Sequence, residues 1–345
     1  MKKYLIFVSI LISCSKTYNK DFEIYFTEVK TVDLKSDKVR LKYDSETFFS
    51  QIPEMIFVDS LLIINDRNPD YTMKIINLKN NKVQNFGKKG RGPNEFQIPF
   101  SKVSVDKFSK KIYIRNSSNY HIYSIDSLKK GKELNKPLSK FEIKLSDTQF
   151  LINTYCKNYI IGGTYKTPIG LYNIKTKAST EKYEYDTGGS LGNQANFFSH
   201  PSKPKVIYIQ SNSEIMGIVT IKNDDVERKE LSWWKENNEQ VTEGGKTHAK
   251  SKYSSNNRRS FMSATTSENY IYILYSGKPV GTTKESYNKA RLCDMIYVFD
   301  WEGNAIKKYR LDQDVTSIAL DEKNNLLYAS SYGDGSPYIV KYKLE

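Results

Sequence analysis

"MIFVDSLLIIND", Met55–Asp66, is two short apolar runs separated by a polar turn at Asp59 and Ser60. Runs this short, rich in Ile, Val and Phe and bounded by turn residues, read as strands rather than helices. The unit recurs as "VSVDKFSKKIYIRN" from Val103, "FLINTYCKNYIIGG" from Phe150 and "FFSHPSKPKVIYIQS" from Phe197. It returns as "FMSATTSENYIYILYSG" from Phe261 and "SIALDEKNNLLYASS" from Ser317. Third strands follow at Met73–Leu78, His121–Asp126, Gly170–Ile174, Gly217–Ile221, Met295–Asp300 and Tyr338–Tyr342. A turn and a fourth strand follow all but the last. The spacing is about 46–48 residues at first and longer around the fifth copy. Four short strands in each of six repeats predict an all-β chain folded as a six-bladed β-propeller. Radial packing buries each sheet against its neighbours and leaves only short edges. The last repeat lacks an outer strand. "EIYFTEVKTVDL", Glu23–Leu34, is strand-like and is expected to supply it, closing the ring.

Between the first two repeats runs "NFGKKGRGPNEFQIP", Asn85–Pro99. Its glycines, Gly87, Gly90 and Gly92, invite a phosphate-loop reading. A phosphate loop needs a closing Lys-Ser/Thr and a helix whose N-terminus meets the anion. Neither follows here; the next element is the strand at Val103. The glycines instead suit a chain swinging from rim to centre. Phe96 is expected to plug the gap between sheets and Glu95 to accept backbone N–H bonds. The pattern from Phe86 to Phe96, with Pro99, Val103–Asp106 and Ile112–Ile114, resembles one NHL repeat. Over nearly the whole mature chain, "GRGPNEF" (90–96), "LYSGK" (274–278) and "VFDWEGNAIKKYRLD" (298–312) resemble the TolB-like six-bladed propeller lipoproteins of Bacteroidota. That resemblance implies a propeller on the cell envelope. It implies no catalytic residues.

Lys2 and Lys3 precede a nearly all-apolar run, Tyr4–Ile12, too short to span a bilayer. A charged start and a short apolar run form a secretory signal. It ends in "LISC", which resembles a lipobox and implies lipidation of Cys14. Several acyl chains would anchor the protein stably. The expected organisation is residues 1–13 as signal peptide, 14–22 as lipidated tether and 23–345 as propeller. The expected location is the bacterial cell envelope, periplasmic or on the outer-membrane surface, and the expected state a monomer. The formal charge of +14 favours acidic partners. An exported protein seldom meets nucleic acid, so anionic headgroups and acidic glycans fit better. Lysines dispersed along the chain also serve solubility.

Long loops on a rigid scaffold are where binding concentrates. In propeller geometry the second-to-third loops and the blade-to-blade connections open on one face. The long segments Gly87–Phe100, Asp186–Asn196, Ser232–Ser260, Ser276–Asp294 and Ser331–Pro337 all fall there. Aromatic rings stack on sugars, and arginine pairs bidentately with carboxylate. Trp233, Trp234, Lys250, Arg258, Arg259, Lys284, Tyr287 and Arg291 are therefore the candidate binding residues. If their two loops converge, they make a basic, aromatic patch. The ligand expected is a protein partner or an acidic glycan. The alternative is a lyase or hydrolase at the mouth of the central channel. No cofactor or metal is expected. The histidines His121, His200 and His248 are scattered, and no C-x-x-C spacing exists. Asp59, Asp106 and Asp321 recur at inner-strand ends, where Asp bonds its own turn. Cys156 and Cys293 are expected to be separate thiols.

Overall fold

The structure is a computed structural model. It describes residues 22–42, 49–97, 103–107, 109–117, 119–131, 136–143, 150–164, 169–183, 195–234, 239–243, 246–250, 258–333 and 336–345. Four separate four-stranded antiparallel sheets follow one another along the chain. The first is Glu54–Val58, Leu61–Asn65, Tyr71–Asn77 and Lys82–Lys88. The second runs from Val103–Asp106 to Ser139–Glu142, the third from Phe150–Cys156 to Ser179–Lys182, and the fourth from Ala195–Ser199 to Asp225–Trp234. The expected turns are present. Middle strands such as Leu61–Asn65 are buried at every position, as required when both faces of a sheet meet neighbours. Outer strands such as Ser139–Glu142 are largely exposed.

Among the described residues, eight further strands form one sheet, and Glu239–Glu243 and Lys246–Lys250 form a separate hairpin. The sheet's long strand Ala305–Asp321 pairs with Cys293–Asp300 through Ala305–Arg310 and, past a register shift, Val315, and with Leu326–Gly333 from Val315 onward. Apolar clusters sit between consecutive sheets. Val58, Ile63 and Phe86 of the first meet Ile112, Ile114 and Tyr123 of the second. At the far end, Ala319, Tyr328 and Ile339 pack on Ile52, Leu62 and Ile64. The last strands therefore lie against the first sheet, and the all-β chain is a propeller.

Glu23–Leu34 departs from expectation. Phe22–Phe26 is a 3-10 helix wedged between the fourth sheet and the Phe261–Thr266 strand's sheet. Only Thr31–Leu34 is a strand from that segment, and it pairs in parallel with Lys308–Leu311. Ser36–Lys38 pairs antiparallel with Val340–Tyr342, and Lys42 bridges Lys82 of the first sheet. The segment thus straps several outer edges. Its aromatics explain the departure: Phe22 and Phe26 are fully buried, which a solvent-facing edge strand would not allow. Phe22 itself packs within the folded body.

The glycine loop behaves as read. Glu95 accepts from the Gly92 N–H at 2.9 Å and meets Lys88 Nζ at 3.1 Å. Those bonds, the backbone one first, hold its pKa below the usual carboxylate value. Phe96 is 1% exposed, in the cluster between the first two sheets. A Cβ on Gly90 would stand 2.0 Å from Glu95 Oε2, so any other residue there must displace the Glu95 carboxylate. Of the recurrent aspartates, Asp106 accepts from Ser109 N at 3.1 Å and Asp321 from Asn324 N at 3.3 Å. Asp59 instead meets Lys129. Cys156 and Cys293 are free and buried; burial pushes the Cys156 thiol up to about 12 and raises Cys293 further.

Candidate functional site

The loops after Trp233 and Tyr275 do converge. Arg259 N donates to Lys278 O at 2.9 Å, and Ser276 N to Ser260 O at 3.0 Å. Ser260 N also donates to Ser211 O at 2.9 Å, stitching in the fourth sheet. The second loop carries a helix, Lys284–Lys289, opened by a capping box between Thr283 and Ser286. A Glu285–Lys289 pair at 2.7 Å supports it one turn apart. Arg259 fastens this helix to the rim. Its Nη2 donates to the Tyr287 hydroxyl at 2.6 Å, its guanidinium lies 4.8 Å from the Tyr287 ring centre, and its Nη1 donates to Asn212.

Beyond the helix lies a groove of about 330 Å³. The helix contributes Glu285, Asn288 and Lys289, with Arg291 just after it. Gln51–Pro53 come from the entry to the first sheet, and Tyr332 from the 331–337 connection. Arg67 stands near enough to sense Arg291, Tyr332 and Tyr287. Loss of solvent and then the Arg291 charge lower its pKa from the usual guanidinium value. The groove thus draws on three loops of the long-loop face. Its floor is anchored by a buried ion pair: Lys74 Nζ meets Asp66 Oδ2 at 2.8 Å, and Asp66 Oδ1 accepts from Ser50 N at 3.0 Å and Gln51 N at 3.1 Å.

The candidate residues separate clearly. Arg259, Tyr287 and Arg291 come together. Lys284 and Arg258 are exposed on the same rim. Trp233 does not belong to the surface. It is 7% exposed and its ring centre is 4.9 Å from that of Phe22; the aromatic wedge claims it for the core. Trp234 ends its strand opposite Glu214, and Lys250 ends a hairpin strand, Lys246–Lys250, paired with Glu239–Glu243. Their side chains lie outside the described residues, as do Cys14 and most of Asp186–Asn196. Sequence reasoning missed Gln51–Pro53, Arg67 and Tyr332. Tyr332 was inside a segment already assigned to this face; Arg67 sits in a turn whose shortness hid it.

Two other cavities are present. A central one of about 100 Å³ reaches residues from every inner strand. It is ringed by hydroxyls: Ser104 and Thr154 are 2.9 Å apart, Thr154 and Ser199 3.3 Å, and Thr266 donates to Ser199 O at 2.7 Å. Among the described residues no three His, Cys, Asp or Glu side chains gather as metal ligands. On the short-turn face a cleft of about 740 Å³ is bordered by Asp59, Asp321, Glu322, Lys79, Lys107 and Lys323. Three acids against three bases favour no sign of ligand.

Comparison with known proteins adds the family. The TolB-like 6-blade propeller-like family matches residues 31–323. The chain belongs to this family. No curated protein matches the sequence. Among solved structures, this TolB-like chain is similar to a DUF4221 family member from Bacteroides vulgatus. The TM-score is 0.60 at 10% identity, covering 90% of this chain and 98% of that one. A putative exported protein from Bacteroides fragilis gives 0.54 at 9% identity, over 92% and 100%. An auxiliary nutrient binding protein from Bacteroides thetaiotaomicron gives 0.53 at 10% identity, over 86% and 70%. At such identities the likeness speaks for the fold.

Proposed function

We propose that the protein is a cell-envelope lipoprotein, acylated on Cys14, that binds an acidic ligand on the long-loop face of a six-bladed propeller. The ligand class is a carboxylate-bearing glycan or the acidic surface of a protein partner. Six blades follow if Ala305–Asp321 is divided between two sheets, with Ser36–Lys38 as the outer strand of the last. The observation that carries the binding reading is the groove of about 330 Å³ with Arg291 in its wall and Arg67 beside it. Lys289 and Arg291 outnumber Glu285 among the charged side chains of its wall, and arginine is suited to carboxylate geometry. The similar Bacteroides protein described as nutrient binding, and the one described as exported, support a binding role at the envelope.

The test is titration of the purified protein with acidic, neutral and basic polysaccharides at two salt concentrations. Binding is expected for the acidic polymer alone, weakening as salt rises. Arg291→Glu should weaken it about tenfold, equivalent to about 1.4 kcal/mol. If no acidic polymer binds, cross-linking through the same face in cells decides whether a protein partner takes its place. Equal binding of neutral polymers would overturn the charge argument.

A further inference from the structure

The wedge Phe22–Phe26 sets how the body hangs from its anchor. Phe22 N donates to Glu214 Oε2 at 3.3 Å, and Glu214 opens its strand just after the loop that contacts Ser260. The Phe22 ring lies 5.0 Å from Phe261, which begins a strand, and 4.8 Å from Tyr275, which ends one. All three positions border the long-loop face. The chain then runs inward, so that Tyr25 donates to Gly303 O in a short turn on the opposite face at 3.0 Å. The chain therefore enters the propeller at the long-loop rim, beside the loops that carry Arg259 and Tyr287.

We infer that the long-loop face is turned toward the membrane and docks on its anionic headgroups; this rests on the acylation of Cys14 proposed above. Only seven residues, Ser15–Asp21, separate Cys14 from Phe22, a reach of about 28 Å when taut. A strand of six residues already spans about 20 Å. Presenting the short-turn face would require the tether to run stretched along the whole depth of the disc, at full cost in chain entropy. Presenting the long-loop face requires no such extension. Around its groove that face offers Arg67, Arg258, Lys284, Lys289 and Arg291 against Glu285, whereas the cleft on the other face is balanced in sign. Basic side chains near an anionic bilayer are attracted to it within a Debye length. The groove then opens toward the membrane, and its ligand must be membrane-proximal.

The experiment uses the full acylated protein on vesicles of phosphatidylethanolamine, with or without phosphatidylglycerol, doped with an acceptor lipid. Thr282→Cys reports the long-loop face and Lys323→Cys the short-turn face; Cys156 and Cys293 are buried and will not label. Mass analysis first establishes the acyl group on Cys14. Donor quenching at position 282 should exceed that at 323 by about twofold or more, given a disc depth of about 20 Å. Inserting ten Gly/Ser residues before Phe22 should erase the difference on neutral vesicles and leave it on anionic ones at low salt. Arg67→Glu with Arg291→Glu should then remove it there too. Equal quenching in the acylated protein overturns the orientation while leaving acylation intact. Loss of the difference on anionic vesicles after insertion overturns headgroup docking. An unmodified Cys14 overturns the anchoring and this inference with it.

Discussion

Two buried residues make the sharpest tests at the level of single side chains. Lys74 and Asp66 are 1% and 0% exposed and joined at 2.8 Å. Removing one partner strands the other charge, so Lys74→Met should cost about 3–5 kcal/mol, read as a lower urea midpoint. Because Asp66 also holds Ser50 and Gln51, the groove should loosen with it. His121 is 3% exposed and packs at 5.2 Å from Phe96. Burial, with Lys140 nearby, lowers its pKa to about 4. The unfolded chain therefore takes up a proton near the ordinary value of 6.5 before the folded one does. Stability contributed by neutral His121 is complete above about pH 6.5 and declines as pH falls toward 4. Melting curves of His121→Leu should show a shallower pH slope over that window than the parent protein. Neither effect was visible in the sequence. Lys74 lies in a strand pattern where lysine reads as solvent-facing, and only the third dimension supplies Asp66.

Among the elements, the glycine loop and the N-terminal wedge differ in how far they could be anticipated. The roles of Gly90, Glu95 and Phe96 followed from local chemistry, because Glu95 bonds Gly92 and Lys88 within the loop itself. Gly90→Ala should be destabilising by about 1–3 kcal/mol through overpacking, and less so in a Glu95→Ala background, where the obstructing carboxylate is gone. Thermal unfolding of the four-member cycle measures that coupling. The wedge was not legible. "FEIYF" has strand composition, but its rings bury against Phe261, Tyr275, Tyr297 and Trp233. Those residues lie some two hundred positions or more away. Phe26→Ala should cost about 3–5 kcal/mol, as for other buried aromatics. The helix Lys284–Lys289 was likewise hidden inside a segment read only as a long loop, since six residues give too short a periodic signal.

For the whole molecule, the strap of residues 22–42 covers edges of the ring. Thr31–Leu34 and Ser36–Lys38 satisfy backbone groups on two exposed strands. A chain beginning at Asp21 should melt close to the full protein. One beginning at Val39 should melt lower and aggregate, because bare strand edges recruit other chains. Differential scanning fluorimetry with light scattering separates the two outcomes.

The repeat spacing, the alternation of apolar runs with turns and the glycine loop were enough to specify an all-β propeller, because each of those signals is local and repeats. The convergence of two loops on a basic rim could be stated from their positions around a ring. The members of the groove, the burial of Trp233 and the path of the N-terminal strap were decided only by folding. They depend on contacts between residues far apart in the chain, where the same aromatic or charged side chain serves as core or surface according to what packs against it.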